Sequence, residues 1–216
     1  FIRGDHTNQQ DTAVPRGYLT VLEGRAEAPT IPSASSGRLE LARWMTDPEH
    51  PLTARTIVNR VWAWHFGEGI VSTPSNFGLR GGRPTHPELL DWLARRFVAD
   101  GWSIKELHRR IMNSAAYRSS GRPDPHAIAA DPGNELLWRR TPRRLEAELV
   151  RDAILEVGGS LDRTVGGSLL RTGNFGYVTN DQSRSNERYV ASRRGIYMPV
   201  IRNDMYELFA TFDYTD

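Results

Sequence analysis

At 216 residues, with no cysteine, a hydrophobic fraction of 38% and a formal net charge of +2, the chain suits one large domain or two small ones whose core needs no covalent staple. The lack of Cys excludes disulfides, thiolate metal sites and covalent c-type haem attachment within these residues, and no apolar run approaches the roughly 18 residues of a membrane-spanning helix. Lys105 is the only lysine, and the arginines lie scattered among acidic residues, which argues against the one-sided basic patch of a nucleic-acid face.

In chain order, residues 1–3 form a short apolar run that suits an edge strand, followed by the Gly4-Asp5 turn signal. Residues 26–37 turn to Ala, Pro and Ser, the composition of an extended connector. A first short helix is expected over 38–46, stopped by Asp47-Pro48. A second is expected over 53–66, with Ile57, Val58, Val61, Trp62 and Phe66 at helical spacing, Thr56, Asn59 and Arg60 on its polar face, and Gly67 as a left-handed cap. The glycine-rich stretch 67–84 lacks the spacing of a phosphate-binding or dinucleotide loop. It reads as a packed loop held by Ile70 and Phe77.

Thr85-His86-Pro87-Glu88 spells a capping box for a third helix ending at Asp100-Gly101, and Ser103-Ile104-Lys105-Glu106 spells another for a fourth, with Trp102 and Leu107 as a hydrophobic staple. The short link makes helices three and four a hairpin. A turn-rich connection (Gly121, Pro123, Pro125, Pro132, Gly133) leads to a fifth helix with Pro142 at its first position, running to Val157 and closed by Gly158-Gly159. Residues 158–193 show no period and are expected to be mobile. Residues 194–201 suggest an edge strand pairing with 1–3, and 203–212 a last helix. The fold expected is therefore mainly α: five to six helices in an irregular orthogonal or hairpin bundle with long loops and a small terminal β element. Its parts are an extended N-terminal segment (1–36), a helical core (37–157) and a Gly/Arg-rich region with a short strand and helix (158–216), together a segment of a longer protein.

Turning each helix by about 100° per residue places ionisable groups on apolar faces: His65 beside Val58, Val61 and Trp62, His86 beside Leu89 and Leu93, His108 beside Ile104 and Ile111, and Glu146 beside Leu149, Val150 and Ala153. One reading is chemical. Neutral imidazoles and a carboxylate suit a metal site formed by His65, His86 and His108, or acid–base work by Glu146, His86, Asp91 and His108, as in a carbohydrate-active or metal-dependent enzyme. Against the metal version, His86 and His108 both stand near the start of their helices, on the order of 13 Å apart in an antiparallel hairpin. The other reading is structural, with each His bonded to a carbonyl or side chain and Glu146 paired with an arginine. Arg60, Trp64 and Trp92 are candidates for an exposed binding surface facing a neighbouring domain or polysaccharide.

Several of these motifs recur together in one family. Asn59-Arg60-Val61-Trp62, Phe66-Gly67-Glu68-Gly69-Ile70-Val71, Asn76-Phe77-Gly78, the run 86–93 from His86-Pro87-Glu88 to Leu93, Gly101-Trp102-Ser103-Ile104-Lys105, Leu107-His108-Arg109, Tyr117-Arg118 and Arg143-Arg144-Leu145-Glu146-Ala147-Glu148 resemble the planctomycete cytochrome-c-associated domain of unknown function. The resemblance implies a C-terminal module of a multi-domain extracytoplasmic protein, at the periplasm or cell surface, with haem in an upstream cytochrome-c-like domain and no cofactor in this chain. It carries no catalytic residues across. The function expected is a non-catalytic interaction or scaffold module whose partners are other domains of the same parent.

Overall fold

The computed structural model describes residues 7, 15–22, 28–167, 169, 191–201 and 205–212. The chain divides into two compact units, Phe1–Pro142 and Arg143–Asp216. Among the described residues there are seven α-helices: α1 Arg38–Met45, α2 Thr53–Phe66, α3 Pro87–Ala99, α4 Ile104–Met112, α5 Pro125–Ala130, α6 Ala147–Val157 and α7 Glu207–Thr211. None is long and apolar enough to cross a membrane. The architecture is mainly α.

In the first unit, α2 buries Ala54, Val58, Val61 and Trp62, and α3 buries Leu90, Leu93, Ala94 and Phe97. Each set recurs every three or four residues, so each forms one stripe down its helix. With Leu107 and Ile111 of α4 and Ile70 and Val71 of the intervening loop, these side chains make a single core, against which Phe77 is packed. Burying such side chains contributes roughly 1.5–3 kcal/mol each. α2 therefore packs on both α3 and α4.

Start and stop signals acted unevenly. Gly67 ends α2 at φ 94, and Gly101 follows α3 at φ 70, conformations that cost glycine little. Trp102 follows at φ 60, unusual for a bulky residue, and its ring packs on Phe97 at 5.3 Å while its N–H donates to the Phe97 carbonyl at 2.9 Å. The capping box at 85–88 does not form. Thr85 directs both its N–H and its hydroxyl to the Ile70 carbonyl, so α3 starts at Pro87 without a side-chain cap. The box at 103–106 forms by half: Ser103 Oγ accepts from Glu106 N at 3.3 Å, while the Glu106 carboxylate pairs with Arg109.

The turn-rich connection holds an unforeseen short helix. Asp124 Oδ1 accepts from His126 N at 2.9 Å and Pro125 takes the first helical position, an N-cap followed by proline. α6 starts at Ala147, not Pro142. Just before the expected start, Arg140 N–H donates to the Ser120 carbonyl, and Asn134 bonds both the N–H and the carbonyl of Arg139, so the chain there is held in loop pairing.

In the second unit, Ala147 of α6 packs with Met198 and Phe209 of α7. The expected strand over 194–201 is not one. Gly195–Tyr197 is a 3-10 turn, and the described residues hold only an isolated bridge between Asp162 and Arg193. The carbonyls of Arg194 and Gly195 accept from the N–H groups of Tyr197 and Met198 within that turn, and Arg151 takes the Ala191 and Arg193 carbonyls just before it. The edge strand at 1–3 and most of the stretch expected to be mobile, 168 and 170–190, lie outside the described residues.

Candidate functional site

The histidines of α2 and α4 meet. His65 Nε2 and His108 Nδ1 lie 2.7 Å apart, so a proton sits between them and one ring donates to the other. Both rings are half-buried. The Tyr117 ring meets His65 edge-on at 5.3 Å, and Trp64 lies over His108 at 6.5 Å. Arg140 stands 3.9 Å above the Tyr117 ring and 5.4 Å from Phe66. Its Nη1 is buried without a hydrogen-bond partner among the described residues, and the π faces beneath it supply the compensating electrostatics.

His86 does not join this pair. It occupies the N-cap position of α3, with Nδ1 3.0 Å from Thr85 Oγ1. No group of three or more His, Asp or Glu side chains among the described residues is arranged to hold a metal ion. Asp91 is ion-paired: Arg55 Nε donates to its Oδ1 at 2.7 Å. That hydrogen bond, then the charges of Arg55 and Arg95, hold the carboxyl below its ordinary pKa of 3.8, which suits an anion and not a general acid.

Glu146 overturns its expectation. It is exposed, with φ −64 and ψ 150, at the start of α6. The face that the sequence assigns to the core is turned outward, leaving Leu145, Leu149 and Ala153 exposed, while Ala147 and Arg151 are buried. Arg151 is thus the buried charge of that helix. Its fork closes on backbone carbonyls, and the neighbouring Asp152 accepts from Gly195 N. Among the surface candidates, Arg60 is exposed, Trp64 is 62% exposed and Trp92 47%.

Two polar residues escaped the sequence reading. Asn59, placed there on the polar face, is fully buried: its Nδ2 donates to the Val71 carbonyl at 2.9 Å and its Oδ1 accepts from Val71 N at 2.8 Å. The loop passes so close that a Cβ on Gly69 would lie 2.6 Å from the Val71 oxygen and 2.7 Å from Asn59. His50, 8% exposed, turns Nδ1 toward the N–H groups of Leu52 and Thr53 at 3.3 Å each. Nδ1 must accept, so the proton is on Nε2, which is buried without a hydrogen-bond partner among the described residues. The Trp44 ring stands perpendicular at 4.6 Å, where its π face can take that N–H. Burial lowers the His50 pKa, with Asp47 opposing weakly. The signal was the His50-Pro51-Leu52-Thr53 order just before a helix, which a search for Ser, Thr, Asp or Asn caps passes over.

Comparison with known proteins adds one assignment. No curated protein and no solved structure matches the chain. The family model PSD1, protein of unknown function (DUF1553), matches residues 37–216, which takes in all seven described α-helices. The chain therefore belongs to the DUF1553 family, a domain of unknown function.

Proposed function

We propose that this DUF1553 member is a non-catalytic interaction module that holds neighbouring domains of a multi-domain extracytoplasmic protein in place, a cytochrome-c-like domain among them. The setting follows from the resemblance to the planctomycete domain. The observation that supports a contact role is Trp64, 62% exposed on α2 beside the imidazole pair. A large aromatic side chain on a rigid helix is the type that anchors protein interfaces. Asp91 and the two paired histidines, by contrast, bond to protein partners.

The test is photo-cross-linking in the intact parent protein, with a benzophenone amino acid in place of Trp64 or Trp92. Cross-links to another domain of the same parent are expected from at least one position. Their absence from both positions overturns the proposal.

A further inference from the structure

An open cleft of about 340 Å³ lies in the first unit, lined by Pro51, Arg55, Phe77, Pro84, Pro87 and Asp91 among others. Its size is at the small end of ligand sites, and apolar walls with a few convergent polar groups are what such sites present. Three proline rings make the walls stiff. The polar element is one pair. Arg55 Nε donates to Asp91 Oδ1 at 2.7 Å, and Arg55 Nη1 donates to the Pro51 carbonyl at 2.7 Å. Two bonds thus hold the guanidinium plane still. Arg55 Nη2 and Asp91 Oδ2 make no hydrogen bond among the described residues, and the pair is half-exposed, at 35% and 40%.

The chemistry of that pair selects its ligand. A carboxylate or phosphate drawn to Arg55 is repelled by Asp91, and an ammonium drawn to Asp91 is repelled by Arg55. A matching ligand carries no net charge, offers an acceptor and a donor on adjacent atoms, and has an apolar face for Phe77. Neighbouring hydroxyls of a sugar ring meet all three conditions, because each hydroxyl both donates and accepts and the ring presents C–H groups to an aromatic face. A peptide amide offers the same polar edge. Grooves for proline-rich peptides, however, are lined with aromatic side chains, and among the described residues Phe77 is the one aromatic side chain lining this cleft.

We propose that the cleft binds a neutral saccharide through a vicinal diol. One hydroxyl oxygen accepts from Arg55 Nη2, its neighbour donates to Asp91 Oδ2, and the C–H face of the ring lies on Phe77. The site is separate from the contact proposed for Trp64, and either can hold without the other.

Isothermal titration of the 216-residue chain with cellotriose, xylotriose and mannotriose tests this, with trigalacturonate as the charged comparison and a Pro/Gln-rich peptide as the amide comparison. At least one neutral trisaccharide is expected to bind with a millimolar or tighter Kd. That affinity should fall about tenfold in Asp91→Ala and in Arg55→Ala. The pair is half-exposed, so both variants should keep their fold, which an unchanged far-ultraviolet spectrum checks. In the unaltered chain, the Arg55 Nε–H resonance should shift on adding the sugar. The proposal is overturned if no neutral sugar binds up to about 10 mM, or if binding is unchanged in both variants. Tighter binding of trigalacturonate or of the peptide than of every neutral sugar also overturns it.

Discussion

Asn59 is fully buried, and its amide meets both the N–H and the carbonyl of Val71. Removing that amide leaves two backbone groups in the core without partners, each costing about 1–3 kcal/mol. Asn59→Ala should therefore lower unfolding stability by about 2–4 kcal/mol in urea denaturation. A loss below about 1 kcal/mol would mean that Val71 is satisfied in another way. The helical wheel put Asn59 beside Thr56 and Arg60 because Asn is polar. A wheel sorts residues by polarity and cannot see that the partner of a polar side chain is a loop twelve residues further on. His50 was missed for a related reason, since its imidazole accepts from the backbone N–H groups of Leu52 and Thr53, a role looked for in Ser, Thr, Asp and Asn.

At the scale of helices, the His65–His108 bond ties α2 to α4, and Asp100 at the end of α3 is tied to Arg110 of α4 through two donors on one carboxylate oxygen. A double-mutant cycle with His65→Ala and His108→Ala should give a coupling energy of about 0.5–1.5 kcal/mol, the net worth of a neutral hydrogen bond. Coupling indistinguishable from zero would show that the rings merely touch. α2, α3 and α4 were legible from the sequence almost to the residue, since a stripe of apolar side chains recurring every three or four positions specifies both the helix and its buried face. α6 was legible only at its end. The buried side of its start is set by Arg151 reaching the carbonyls of Ala191 and Arg193, forty or more residues away, and that contact turns Leu149 and Glu146 outward.

For the molecule as a whole, acid should weaken the first unit in two steps. Burial puts the folded-state pKa of His50 below its ordinary 6.5, so the unfolded chain takes up the proton first. The contribution of His50 is complete above about pH 6.5 and is lost as the pH falls through the lowered value. Asp91 is held below 3.8 by Arg55, so its contribution is present above about pH 3.8 and is lost only in stronger acid. This second step is small, because the pair is half-exposed and screened. Urea midpoints measured between about pH 7 and pH 3 should decline in that order. His50→Asn, whose side-chain oxygen can still accept from the helix start, should flatten the first step. Stability that rises as the pH falls from 7 to about 5.5 would contradict the assignment.

By itself the sequence determined the mainly helical class, the three central helices with the loop that packs between them, and membership of a recognisable family. Those features are written in local order: apolar spacing, glycine at positive φ, and motifs in a fixed succession. Only the tertiary structure decided which polar groups share a place. It joined His65 to His108 and left His86 at a helix start, set Asp91 against Arg55 in a cleft, and buried Arg151 where Glu146 was expected. The physical reason is that a polar side chain is buried only where a partner from elsewhere in the chain satisfies it, and that partner's position is a property of the packed fold.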